Sequence, residues 1–138
     1  MKKIFLWCSV HQISEAQTQE LKQMGMEELE FLPSELQGRI NNCPDNVKDL
    51  VSMCSDLERF LGDTYGWNNR GLHIVQLGGS PMFQKIFGAR VLYQGHNEQG
   101  APWKMVDAYS ERVSEDIPQE DGTIKKVSVF KHKHFLVY

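Results

Sequence analysis

Before residue 78 the apolar side chains gather in short continuous runs; after residue 104 they alternate with polar ones. The first run, Ile4 to Cys8, is unbroken. A continuous run, as opposed to alternation, marks a strand covered on both faces, as in a parallel sheet. Leu29 to Leu32, closed by Pro33, and Leu72 to Leu77 predict two more strands. Helices are predicted between them. Ser14 reads as an N-cap, and Gln17, three residues on, completes a capping box. That helix should run to about Met24. Gly25 then suits the left-handed position past its end, with Leu21 and Met26 spaced for the contact that accompanies it. A short helical turn is expected over Ser34 to Ile40, with Ser34 as its cap. A longer helix should start at Asp45 or Asn46, with Val47, Leu50, Val51, Cys54, Leu57 and Leu61 on one face.

The segment from Gly62 to Gly71 reads as a loop, and Gly78-Gly79-Ser80-Pro81 as a sharp turn opening a helix to about Phe87. The resulting β-α-β-α-β-α order predicts right-handed crossovers and a parallel sheet. After Gly88 the grammar changes. Arg90 to Gln94 reads as a strand and His96 to Pro102 as a polar loop. Lys104 to Val113 and Ile124 to Tyr138 are β-rich, and Asp121-Gly122 between them is a hairpin signal. The hairpin is expected to pair with the sheet edge or with a second subunit. The fold class predicted is α/β: a Rossmann-like, mostly parallel sheet flanked by helices, with a C-terminal β-hairpin, in one domain over residues 1–138.

Composition narrows the function classes. With 138 residues, 41% hydrophobic and 24% charged, the chain reads as one globular domain. A net charge of −3 argues against wholesale binding to DNA or to an anionic membrane, but not against a small anion in a local pocket. No stretch approaches the ~18 apolar residues of a membrane span. The N-terminal apolar run breaks at Ser9, too early for a signal-peptide core. Cys8, Cys43 and Cys54 form no C-x-x-C pair, so reduced thiols in a cytoplasmic protein are expected.

In open α/β sheets ligands bind at the carboxyl ends of the strands. Three places there could carry chemistry. Ser9 and His11 follow the first strand and could touch a phosphate or ribose, or simply satisfy loop backbone groups. Gln76-Leu77-Gly78-Gly79-Ser80 follows the third; its glycines would let a ligand approach, or would serve only a tight turn. The tail from Gly122 carries Lys125, Lys126, Lys131 and Lys133 and no acid, which suits a polyanion or an ordinary solvated strand face. His132 and His134 have H-x-H spacing but no evident third ligand, so no metal site is assigned.

Several stretches resemble a small CRISPR-associated family, the Csx type numbered twenty. Phe5-Leu6, Ser9 and Ile13 to Gln17 resemble its first strand, Ser-His pair and helix start. Leu32-Pro33-Ser34-Glu35-Leu36-Gln37 resembles its "L-P-x-E-L-Q". Asp121 to Lys126, then Val129-Phe130-Lys131-His132, Phe135 and Tyr138, resemble its "D-G-x-x-K … F-K-H … F … Y". The likeness covers residues 1–62 and 107–138. The middle departs: the family's "Q-G-D-F-G-A" turn stands here as Gln76-Leu77-Gly78-Gly79-Ser80, without the acid. Its "Y-A-T-T-x-R" is matched loosely by Asp107 to Arg112.

The resemblance implies a CARF-like homodimer, related to domains that sense cyclic oligoadenylate in type III CRISPR defence. It implies a ring nuclease that binds cyclic tetra-adenylate across the dimer and cuts it, ending the signal, with no metal or other cofactor. A ribose 2′-hydroxyl would attack the adjacent phosphate and leave a 2′,3′-cyclic phosphate. On this reading Gln76, Gly78, Gly79, Ser80, Tyr109 and Ser110 bind the ligand. Arg112 and Lys131 neutralise charge, and Ser9, His11 or His132 orients the hydroxyl or moves the proton. A non-catalytic sponge for the cyclic nucleotide, or a sensor module, is the alternative.

Overall fold

The computed structural model of the chain describes residues 1–94 and 103–137, apart from the side chains of Gln94 and Phe130. Its elements are β1 (Ile4–Trp7), α1 (Glu15–Gln23), β2 (Glu28–Phe31), α2 (Ser34–Asn41), α3 (Val47–Tyr65), β3 (Leu72–Val75), α4 (Pro81–Gln94), β4 (Lys104–Pro118) and β5 (Ile124–Val137). They build one five-stranded sheet in the order β2-β1-β3-β4-β5. The first four strands are parallel, and β5 returns antiparallel to β4. The expected α/β class, with a mostly parallel sheet flanked by helices and a C-terminal hairpin, is what forms.

The period of two in each strand sorts its side chains between two cores. Leu6, Cys8, Leu72, Ile74 and Met105 point to one face, where α2, α3 and α4 cover them with Ile40, Leu50, Met53, Leu57, Leu61, Phe83, Phe87 and Val91. Phe5, Trp7, Val75 and Val106 point to the other, where Leu21 of α1 and Phe135 of β5 close over them. A sheet covered on both sides favours side chains that are apolar on both faces, which is why β1 reads as an unbroken run and β3 as one interrupted only by the partly buried His73. Among the described residues no helix is long and apolar enough to cross a membrane. Cys8, Cys43 and Cys54 are free thiols.

The local signals of α1 are realised in full. The Ser14 hydroxyl accepts from Gln17 N at 3.1 Å while the Gln17 side chain accepts from Ser14 N at 3.0 Å. Gly25 takes φ +98°, and Met26 N donates to Leu21 O at 3.1 Å, the bond that closes the helix end.

Four expectations fail, each for a visible reason. Arg90 to Gln94 is the last turn of α4, not a strand. Phe83, Phe87 and Val91 sit one turn apart on the buried face, so packing carries the helix through Gly88. Gly62 to Tyr65 is the end of α3, not loop. A Cβ on Gly62 would stand 2.0 Å from the Trp67 ring, so this glycine makes room for an indole inside a helix. Ser34 is the first helical residue and Pro33 occupies the cap position, with no side-chain capping bond. On α3 the first apolar position, Val47, is exposed, while Met53 is buried. The expected loop 96–102 and Tyr138 lie outside the described residues.

Candidate functional site at the carboxyl edge of the sheet

The strand order reverses direction between β1 and β3, because α1 leaves β1 on one face and α4 leaves β3 on the other. That gap is where an open α/β sheet offers a crevice. Here the chain fills it. Gly78 N donates to Cys8 O at 3.1 Å, and Gln37 Nε2 reaches the same carbonyl at 3.2 Å. Gly79 sits at φ +91°, and a Cβ on it would meet Phe83 Cδ1 at 2.7 Å and Cys43 Sγ at 3.1 Å. The glycine admits its own protein's side chains. Ser80 N donates to Cys43 Sγ at 3.3 Å, and its hydroxyl accepts from Phe83 N at 3.3 Å, capping α4.

Gln76 has the one positive φ among described non-glycine residues, +55°. Its N donates to Val106 O at 2.8 Å, and its side-chain oxygen accepts from Ala108 N at 3.1 Å. The side chain thus continues the β3–β4 ladder one step after β3 has turned away. Ser9 accepts from His11 N at 3.1 Å, and Trp7 Nε1 donates to His11 O at 2.8 Å. The loop after β1 is therefore pinned to the α1-side core, with the His11 ring outward and exposed.

Past Val106, among the described residues, β4 pairs with β5 alone, and the two strands continue as a ribbon. A bulge lies between Tyr109 and Ser110: Tyr109 faces His134, Ser110 faces His132, and Lys133 is left over. Neighbours on β4 point to opposite faces, so their partners do too. His132 lies on the α1 side with Ser110 and Arg112. His134 lies on the other side, its ring 5.2 Å from that of Tyr109. The H-x-H pair is thus split, and among the described residues no group of His, Cys, Asp and Glu could hold a metal.

His132 has a partner that spacing gave no hint of. Glu20, on α1, accepts from His132 Nε2 at 2.7 Å and from Phe135 N at 2.6 Å. Both side chains are about three-quarters buried. Burial pushes the Glu20 carboxyl up, but the hydrogen bonds from His132 and Phe135 outweigh it and hold the group below the usual carboxylate range. The second ring nitrogen, Nδ1, is buried and has no hydrogen-bond partner. Its ring lies 4.8 Å from that of Phe135, in the core that holds Trp7. Asp107 was likewise not singled out from the sequence. It stands on β4 one residue past the last β3 pair, half-buried, and burial pushes its carboxyl up.

The lysines of the tail are not a bare positive field. Lys131 pairs with Glu115 at 2.8 Å and Lys133 with Glu111 at 3.4 Å. Residues 104–137 carry six basic and six acidic side chains, so the ribbon as a whole is neutral. Ser9 and His11 follow β1, Gln76, Gly78, Gly79 and Ser80 follow β3, and Tyr109, Ser110 and His132 lie just past the last β3–β4 pair, all toward the carboxyl edge of the sheet, with Tyr109 on the opposite ribbon face from Ser110 and His132. Arg112 stands farther out on the face of His132, and Lys131 on the opposite face. The edge is open in a single chain. Clefts of about 540 Å³ beside Glu58, Arg90 and Tyr93, and about 460 Å³ beside Lys2, Tyr65 and Trp67, lie elsewhere.

A family model described as the Uncharacterized protein MJ1673 family matches residues 2–136, and the chain belongs to that family. No curated protein and no solved structure shows significant similarity.

Proposed function

We propose that this member of the MJ1673 family is a ring nuclease that binds and opens cyclic tetra-adenylate at the carboxyl edge of its sheet. The observation that supports it most is the Glu20–His132 pair. A carboxylate fixes one ring nitrogen, and the other stands buried without a partner. With Nε2–H given to Glu20, Nδ1 is an acceptor, and a ribose 2′-hydroxyl is a donor of the kind it lacks. The ligand class comes from the family resemblance described above.

In this reading His132 takes the 2′-hydroxyl proton as the oxygen attacks the adjacent phosphorus. The bond from phosphorus to the 5′-oxygen breaks, and that oxygen takes a proton from His11 or water. The products are linear di-adenylate with 2′,3′-cyclic phosphate ends. Arg112 shares the ribbon face of His132 and balances charge on the phosphorane. Ser9 and Ser110 line the approach, whereas Tyr109 stands on the opposite face of the ribbon with His134. A second copy of the chain encloses the ring, since a cyclic tetramer is itself symmetric. The reaction needs no metal, and the reading places the protein in the cytoplasm as a terminator of type III CRISPR signalling.

A binding-only sponge is favoured by one observation. The amides of Gly78 and Ser80 already have partners, so the turn after β3 offers few donors to a reacting phosphate.

Incubation of the purified protein with labelled cyclic tetra-adenylate in excess EDTA separates these readings. Linear di-adenylate is expected, with Arg112→Ala and His132→Ala each at least about tenfold slower, ~1.4 kcal/mol of barrier. Tight binding with an intact ring would make the protein a sponge. Absence of binding would remove both readings.

A further inference from the structure

Asp107 is a titratable group near the carboxyl edge that the proposed reaction leaves unused. Val106 and Ala108 face the α1-side core, so Asp107 between them faces the α4 side, in line with Met105. Its carboxylate is half-buried, and among the described residues no hydrogen bond or ion pair reaches it. Farther along this face Glu111 and Glu115 are paired with Lys133 and Lys131, so Asp107 is the acid left without a partner. A carboxylate withdrawn from water and unpaired weakens the fold, and such groups gather where a ligand supplies the missing contact.

The same face carries a platform for a flat ring. Tyr109 follows two residues on, about 7 Å along the strand, and is exposed. His134 lies across from it, the two rings 5.2 Å apart and tilted by 38°. Leu136, across from Asp107, is exposed too and gives the face an apolar margin. Side chains two residues apart on a strand stand side by side, so the carboxylate lies beside the Tyr109 ring and not over its face. That offset suits a donor in the plane of a stacked ring. A cation centred over the ring would not reach the acid. Among the described residues β3 stops pairing at Val106, and a cyclic nucleotide lying across the edge of β4 beyond that point reaches both ribbon faces.

We propose that Asp107 and Tyr109 form a site for a purine base, with the base stacked on Tyr109 and His134 and its exocyclic amine donating to the Asp107 carboxylate. In the proposed function that base is one adenine of the ring, next to the nucleotide whose ribose faces His132. The inference deepens that reading by naming what selects the base. The choice of adenine rests on it, while the site itself is open to test with a nucleoside alone. A purine without the amine would cover the acid and leave it unpaired, so it is bound less tightly. An acid that weakens the fold is kept where binding needs it.

Adenosine and purine riboside, which differ only in that amine, decide it. In a titration of the native protein followed by amide chemical shifts, adenosine should bind about tenfold more tightly. It should shift the amides of residues 107–111 and 133–136. Asp107→Ala should lower adenosine to the affinity of purine riboside, and Tyr109→Ala should weaken both nucleosides alike. Asp107→Asn, whose amide oxygen still accepts, should restore most of the preference. Equal affinities in the native chain, no binding of either nucleoside at millimolar concentration, or a preference that survives Asp107→Ala overturns the proposal. The comparison of nucleosides on the native chain needs no variant, so a substituted chain that fails to fold leaves the test intact. Cleavage of cyclic tetra-adenylate is scored separately. Preference for adenosine without cleavage removes the ring-nuclease reading alone, and cleavage without that preference removes this inference alone.

Discussion

Glu20 joins the first helix to the last strand with one carboxylate. Both of its oxygens are engaged, one by the His132 ring and one by the Phe135 amide. Glu20→Gln keeps an acceptor but removes the charge that strengthens both bonds, at a cost of about 1–2 kcal/mol. A fall in Tm of several degrees at pH 7 is expected. The sign with pH follows from the lowered carboxyl. Its stabilisation is complete above the ordinary carboxylate range, near ~4.3, and is lost as pH falls through the folded-state value. The Tm gap between native and variant should therefore close on acidification, and a gap that widens would contradict the pairing. Asp107 has the opposite sense: burial alone raises its carboxyl, so its ionised form weakens the fold at neutral pH.

Elements whose cause is local were legible in the sequence. The capping box of Ser14 and Gln17, the Gly25 stop and the Asp121-Gly122 turn each lie within a few residues, and each stands where expected. Ser14→Ala should cost about 1 kcal/mol, measurable by chemical denaturation, because it removes the oxygen that caps Gln17 N. Elements decided by packing were not legible. Gly88 looked like a stop, but Phe83, Phe87 and Val91 bury α4 past it. The candidate site divides the same way. The edge that gathers Ser9, His11 and the 76–80 turn follows from strand order. The Glu20–His132 pair joins residues 112 positions apart and leaves no periodic trace. The bulge at Lys133 adds one residue with no compositional mark, yet it sends His132 and His134 to opposite faces. The lysine-rich tail could be weighed only once Glu111 and Glu115 were placed across from it.

At the scale of the molecule, a body covered on both faces carries an arm that is not. Local opening should follow that division. In a monomeric chain the amides of β1 and β3 should exchange only through global unfolding. Those of Glu111 to Pro118 and Ile124 to Phe130 should exchange about tenfold faster or more, as read by hydrogen-exchange NMR. Equal protection throughout would mean that the ribbon and body open as one unit.

The strand order also bears on how the protein comes to exist during its synthesis. β1 lies between β2 and β3 and takes a ladder from each. It leaves the ribosome long before β3, which follows it by 65 residues, roughly several seconds at ordinary elongation rates. Through that interval Phe5, Leu6 and Trp7 have at most one strand to pair with. β4 and β5, joined by a five-residue turn, close within microseconds once both are out. The nascent chain therefore carries an inner strand of its sheet short of its second partner for about half of its synthesis, and that strand is one a chaperone would find.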